Sequence, residues 1–273
     1  MLFAPASNPD VLAKLPRSGP DAVVIDLEDA VPADGKVAAR QHAREVGEAL
    51  ATELPTLAVC VRVNAVSSDW FADDVRDALG PWLAGVVVPK LDTRADVETV
   101  ALALERAGVG DVAVIAGIET VAGVARVDEV LQPPVRMAYF GAEDFIADIG
   151  GVRTEDGTEV LYARSRVAVA ARLAGVLAID QIVPGFSDDD RFLADARAGR
   201  AIGYRGKMCI HPAQVPLANQ VFSPSEEEQD WARRLLAAYK QAELEGEGAI
   251  VFEGQMVDEP MARRARALLG TGG

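Results

Sequence analysis

Short apolar runs recur about every 29 residues between Leu2 and Lys207, and each ends in a polar, charged or proline residue. The runs are Leu2–Ala4, Ala22–Ile25, Leu57–Val63, Gly85–Val88, Val112–Ile118, Met137–Phe140, Ile179–Val183 and Lys207–Ile210. The segments 8–17, 36–50, 69–80, 92–107, 121–132, 159–174 and 187–201 have helical patterning or composition, and the fifth stops at Pro133–Pro134, as a helix must. Residues 143–158 read as a long, acidic, Gly-containing excursion after the sixth run. Strands alternating with helices at this period are parallel βαβ units, and eight of them close into an α/β fold of the (β/α)8 TIM-barrel type.

The rhythm stops beyond Pro216, so the chain divides into a barrel over residues 1–216 and a C-terminal helical extension over 217–273. In the extension, Ser225 and Glu228 form a capping box, and Trp231, Leu235 and Tyr239 recur at helical spacing, which predicts an amphipathic helix over 226–245. A Gly246–Gly248 hinge, an apolar piece at Ala249–Phe252, a polar turn at Glu253–Pro260 and a final helix to Leu269 complete it. So short a piece does not fold alone. It is expected to dock on its own barrel or on a neighbouring subunit.

The strand ends matter because catalytic groups of such barrels sit just past them. Asp26, Glu28 and Asp29 follow the second run, Arg62 and Asn64 the third, Pro89 and Lys90 the fourth, Glu119 and Thr120 the fifth, Glu143 and Asp144 the sixth, and His211 and Pro212 the eighth. Glu119 and Asp144 leave adjacent strands, so both carboxylates can approach one point near the axis. Two carboxylates completed by water and substrate oxygens are a usual way to hold Mg²⁺; the alternative is a pair of solvated or salt-bridged acids. Arg62 either binds a carboxylate or oxyanion with its fork or pairs structurally with Asp26 or Glu28. Asp26, Glu28 and Asp29 in turn either hold metal-bound waters or orient Arg62.

Composition narrows the possibilities. Half of the 273 residues are apolar and a quarter charged, the balance of a globular enzyme. The net charge of −15 argues against a nucleic-acid or anionic-membrane surface. With no apolar run of spanning length and no basic leader before the first strand, a cytoplasmic protein is expected. Cys60 and Cys209 read as small core hydrophobes, and two cysteines with two histidines make a structural zinc site implausible. Gly108–Ala113 fits a loose dinucleotide pattern but precedes a strand, so it is a helix–strand turn.

Eight motifs, in order along almost the whole chain, resemble the citrate lyase beta-subunit-like branch of the HpcH/HpaI aldolase and citrate lyase family, CoA-thioester lyases and synthases related to malyl-CoA and citramalyl-CoA lyases. They are Leu2-Phe3-Ala4-Pro5, Asp26-Leu27-Glu28-Asp29 with Lys36 and Arg40, Arg62-Val63-Asn64, Pro89-Lys90, Ile118-Glu119-Thr120, Gly141-Ala142-Glu143-Asp144-Phe145, Cys209-Ile210-His211-Pro212 and Gly254-Gln255-Met256-Val257-Asp258. The resemblance implies Mg²⁺ on Glu119 and Asp144, substrate on Arg62, and a CoA thioester site lined by Phe3, Lys14, Ile210 and His211. It also implies a homotrimer in which Asp258 of a neighbouring subunit is the acid/base, although sequence position alone makes Asp258 a solvent-facing helix cap. Partners would be a CoA thioester and a small oxo acid of the glyoxylate, pyruvate, oxaloacetate or acetoacetate type. Asp10 stands where some relatives carry a basic residue. Two alternatives remain: a citrate lyase beta subunit whose substrate rides on an acyl carrier protein, and a barrel kept as a non-catalytic assembly partner.

Overall fold

The computed structural model describes residues 1–270 and contains two compact units, Met1–Phe222 and Ser223–Gly273. The first opens with β1 (Leu2–Pro5), α1 (Pro9–Leu12), β2 (Ala22–Asp26), α2 (Lys36–Glu53), β3 (Ala58–Arg62), α3 (Phe71–Ala78), β4 (Gly85–Val88), α4 (Arg94–Arg106) and β5 (Ala113–Ile118). It continues with α5 (Val121–Ala125), α6 (Val127–Val130), β6 (Val135–Phe140), α7 (Ala142–Ile149), α8 (Thr158–Ala174), β7 (Leu177–Asp180), α9 (Asp189–Ala201), β8 (Gly206–Lys207) and α10 (Gln214–Phe222). All eight strands pair in parallel in chain order. Just past β8, Cys209 bridges to Leu2; its carbonyl accepts from Phe3 N–H at 2.9 Å and its own N–H donates to Met1 at 2.8 Å, which closes the ring.

Alternation along the strands sorts side chains into two sets. Val24, Cys60, Val87, Ile115, Tyr139, Ile179 and Met208 form one buried cluster inside the barrel, with Phe3 and Ile182 packed against it. Their strand neighbours, among them Val23, Ile25, Val61, Val86, Ala116, Ile118 and Phe140, belong to the larger cluster shared with the helices. Two residues on from the interior layer, the same period turns Asp26 and Arg62 inward. Both cysteines are free and buried, as expected, and burial pushes the Cys60 thiol up to about 12.

The helical shell differs from expectation in four places, the first being the helix expected over 8–17, which is α1 followed by a separate 3-10 turn at Leu15–Ser18. The excursion over 143–158 begins as helix α7, whose first turn carries Glu143 and Asp144; only the stretch beyond Gly150, itself left-handed at φ 69°, is loop. The expected helix over 121–132 is two short pieces. The barrel unit also runs past 216 to Phe222, because α10 packs on α9 and on β8.

The second unit contains α11 (Glu226–Leu244), β9 (Ile250–Phe252), β10 (Gln255–Val257) and α12 (Glu259–Leu268). The capping box of Ser225 and Glu228 is formed. The stretch expected as a polar turn instead returns as β10, antiparallel to β9. Leu235, Tyr239, Val257, Ala262 and Ala265 make this unit's own small core. Among the described residues, no helix is long and apolar enough to cross a membrane.

One buried network ties the last two barrel strands to the shell. Asp180, fully buried at the end of β7, accepts from Arg164 Nε at 2.8 Å and Nη2 at 2.6 Å, and from Lys207 Nζ at 3.0 Å. Gly199 lets α9 approach, since a Cβ there would collide with the Asp180 carboxylate. Removing this carboxylate leaves Asp195 to pair with both buried cations, Arg164 and Lys207, so Asp180→Ala is expected to lower the unfolding free energy by about 3 kcal/mol, read as a fall in the urea midpoint.

Candidate active site

The mouth of the barrel is built on the pairing of β2 with β3. Asp26 lies in register with Arg62, so both inward side chains meet at one level. Arg62 Nε and Nη2 each donate to an Asp26 carboxylate oxygen at 2.7 Å, the bidentate geometry that a guanidinium and a carboxylate favour. Its Nη1 lies 2.8 Å from Glu28 Oε2, close enough for an ion pair but outside hydrogen-bond alignment, so that buried oxygen accepts no hydrogen bond. Burial opposes the charge on Arg62, yet the pair with Asp26 outweighs it and keeps the guanidinium protonated. The ring of Phe3 lies 5.6 Å from the guanidinium carbon, a cation–π contact.

The loop after β2 is held from behind by groups within the Lys36 and Arg40 motif. Lys36 Nζ, buried, donates to the carbonyls of Leu27 at 2.5 Å and Glu28 at 2.8 Å, and to Asn64 Oδ1 at 2.8 Å. Asn64 and Arg40 in turn both bind Asp74, which is wholly buried in α3. These residues position the acids of the mouth without entering it. Asp74 was missed from sequence because an acid in an exposed-looking amphipathic helix carries no signal of burial.

Glu119 and Asp144 do come together in one cavity. Glu119, 2% exposed, accepts a hydrogen bond from the Lys90 backbone N–H at 2.9 Å, and Lys90 adopts a left-handed φ of 53°. The Lys90 ammonium bridges Glu28 at 2.7 Å and Asp144 at 3.4 Å. Gly141 is required beside them, because a Cβ there would collide with the Glu119 carboxylate. Burial, reinforced by the charges of Glu28 and Asp144, pushes the Glu119 carboxyl up to about 7 despite Arg62 and Lys90. Glu28 is likewise raised, by burial first.

A cavity of about 340 Å³ opens over these groups, lined by Asp26, Asp29, Glu119, Glu143 and Asp144 together with Arg62, and by Phe3, Tyr139, Met208 and Ile210 among the less polar residues. Five carboxylates against one guanidinium leave a field that attracts a cation. Among the described residues no three His, Cys, Asp or Glu side chains converge as a ready-made metal cage. A divalent ion on Glu119 and Asp144 would therefore complete its shell with water and substrate oxygens, a donor set that fits Mg²⁺ better than Ca²⁺ or zinc. The residues present fit that ion.

The remaining sequence candidates are distributed differently. Phe3 and Ile210 line the cavity, whereas Lys14 and His211 lie outside its lining. His211 stacks on Phe186 at 4.8 Å, and its Nδ1 accepts from Ala213 N–H at 3.2 Å. Asp258 belongs to the second unit, at the N-cap of α12, where its side chain makes no capping hydrogen bond. Tyr139, which the sequence reading did not single out, lies in the cavity wall, and its fully buried hydroxyl is aligned on no acceptor.

A family model described as HpcH/HpaI aldolase/citrate lyase matches residues 1–212. The chain is 54% identical over 272 residues to a citrate lyase subunit beta-like protein of Deinococcus radiodurans, covering 98% of this chain and 95% of the other. It is 35% identical to an L-malyl-CoA/beta-methylmalyl-CoA lyase of Cereibacter sphaeroides, covering 98% and 92%. Among solved structures it resembles protein CitE from Mycobacterium tuberculosis in complex with magnesium, acetoacetate and coenzyme A, at 32% identity and a TM-score of 0.82, covering 100% of this chain and 97% of that one.

The raised Glu119 carboxyl has a thermodynamic sign. Its folded value of about 7 exceeds the ordinary 4.5, so between these limits the native state binds the extra proton and metal-free stability falls as pH rises. In metal-free protein the loss from this group is expected to reach up to about 3 kcal/mol, at ~1.4 kcal/mol per pKa unit, and Glu119→Gln is expected to abolish it. Urea midpoints measured from pH 5 to pH 8 check both. Because a metal competes with the proton, the rise in melting temperature on adding Mg²⁺ is expected to grow over the same range.

Proposed function

The chain belongs to the HpcH/HpaI aldolase/citrate lyase family, and on that footing we propose that its barrel mouth cleaves, or in reverse forms, the carbon–carbon bond of a 3-hydroxyacyl-CoA thioester of the malyl, citramalyl or hydroxymethylglutaryl type. The products are an oxo acid and acetyl-CoA. The observation that carries this reading is the meeting of Glu119, Asp144 and Arg62 around one cavity. Similarity to a malyl-CoA lyase and to a protein crystallised with magnesium, acetoacetate and coenzyme A supports it.

In the cleavage direction the substrate hydroxyl gives its proton to solvent and becomes the oxo group, while the electron pair of the broken bond forms a thioester enolate that takes up one proton at carbon. Arg62, pinned by Asp26, would present its remaining N–H groups to a carboxylate or a developing oxyanion, a preorganised donor of the kind that commonly accelerates such steps by ~10²–10³. Glu119 and Asp144 would hold Mg²⁺, which when bound supplies Lewis-acid polarisation of the oxo-acid carbonyl. Phe3 and Ile210 would flank the thioester, with Lys14 and His211 farther out toward the coenzyme. Asp258 of a neighbouring copy in a homotrimer would deliver a proton to the enolate carbon, and withdraw it in synthesis.

A second reading, in which an acyl carrier protein bears the thioester, is favoured by the likeness to a citrate lyase subunit beta-like protein. The same assay separates them: purified protein with Mg²⁺ and malyl-, citramalyl-, citryl- and hydroxymethylglutaryl-CoA is expected to release acetyl-CoA from at least one. No release from any of the four, with turnover of a carrier-bound thioester, would favour the second reading. Glu119→Ala, Asp144→Ala and Arg62→Ala are each expected to lower kcat/KM by about 10²–10³. Asp258→Asn alone should be as inactive as Arg62→Ala, yet mixed trimers of the two should recover activity, because one site then holds an intact arginine and an intact neighbouring acid. Failure to recover would remove the shared site.

A further inference from the structure

The Tyr139 hydroxyl lies near the Glu119 carboxylate without being aligned on it as a hydrogen-bond donor. Tyr139 is 2% exposed, on β6, with its side chain turned into the barrel among Val24, Cys60, Val87, Ile115 and Met208. None of these side chains offers a strong acceptor; the Glu119 carboxylate is the acceptor within reach, and the hydroxyl is not aligned on it. Its position is nonetheless prepared: Tyr139 lies in register with Gly117 of β5, and a Cβ on Gly117 would collide with the hydroxyl. A phenylalanine would fill the same apolar space without burying an unpaired polar atom, and buried polar groups are bonded in the great majority of cases. With Glu119 out of alignment, and committed to Mg²⁺ in the lyase reading, the hydroxyl has room for a partner that is not part of the protein.

The cavity supplies the place for one. Tyr139 lines it together with Arg62 and Glu119, one step of strand alternation below the Glu119 level. Arg62 is largely committed to Asp26, so part of its fork is already spent. A carboxylate has two oxygens and several lone pairs, and Arg62 on β3 approaches the mouth from a strand that β4 and β5 separate from β6. A second donor from the β6 side completes its coordination. At neutral pH an unperturbed phenol is a donor as well as an acceptor.

We propose that Tyr139 is a substrate-binding residue whose hydroxyl donates a hydrogen bond to the oxo acid held at Arg62, an inference that rests on the lyase reading of this cavity. The oxo acid in question is the one that leaves on cleavage, and Tyr139 would tighten its binding without contacting coenzyme A.

The test compares wild type with Tyr139→Phe by calorimetric titration with glyoxylate, pyruvate, oxaloacetate and acetoacetate in the presence of Mg²⁺, with coenzyme A as control ligand, and by thermal melting of the ligand-free proteins. The variant is expected to bind the preferred oxo acid about 10- to 100-fold more weakly, the weight of a hydrogen bond to a charged group. Its affinity for coenzyme A should be unchanged, and its melting temperature unchanged or higher, because an unpaired buried hydroxyl has been removed. Equal oxo-acid affinity in the two proteins would overturn the inference and leave the lyase reading intact. A lowered melting temperature with weakened binding of all ligands would assign Tyr139 a structural role and overturn it too. Wild type that binds none of the four acids and cleaves none of the four thioesters would remove the lyase reading and this inference with it.

Discussion

The in-register pair of Asp26 and Arg62 is the contact on which the rest of the barrel mouth depends. Two adjacent parallel strands place these side chains at one level, and the bidentate bond fixes the guanidinium plane. Glu28 then lies against the free side of that plane, Lys90 reaches Glu28, and Asp144 lies within reach of Lys90. Each charge is oriented by the one before it. A chain of this kind costs desolvation at every member and is weak evidence for stability; what it supplies is orientation. The supports beneath it, Lys36, Asn64, Arg40 and Asp74, are buried hydrogen-bonding groups that hold the loop after β2 while keeping out of the cavity.

The electrostatic consequence is a cavity poised for a cation and for anionic substrate oxygens at the same time. The acids outnumber the bases along its lining, and burial, with the charges of Glu28 and Asp144 added to it, raises the enclosed Glu119 carboxyl to about 7. A divalent ion would relieve it. Arg62 keeps its charge because Asp26 holds its fork, so a region of net negative charge still contains one fixed guanidinium. Tyr139 adds an uncharged donor below, where another cation would face an apolar floor and a large desolvation cost.

Much of this was legible beforehand, for reasons that differ from residue to residue. The strand positions followed from apolar runs at a regular spacing, because a strand buried on both faces must be apolar at nearly every position. Arg62, Glu119, Asp144 and the acids 26–29 were legible because a charged residue directly after such a run has only the barrel mouth to occupy. Helix α7 was not, since Glu143, Asp144 and the glycines at 150 and 151 look like loop composition, and the packing of Phe145 and Ile146 into the core decides for helix. The β9–β10 hairpin was missed for a similar reason: its few apolar residues are too short a signal without the small core they join.

Periodicity and the chemical identity of the strand-end residues thus determined the fold class and which charged side chains gather at the barrel mouth, because both are local properties of the chain. Which of those charges touch, and in what state, was decided only in three dimensions. Arg62 faces Asp26 because of strand register, Glu119 is raised because the barrel buries it near Glu28 and Asp144, and the Tyr139 hydroxyl is enclosed beside Glu119 without being aligned on it. Burial and pairing are sums over such neighbours, and no stretch of chain contains its own.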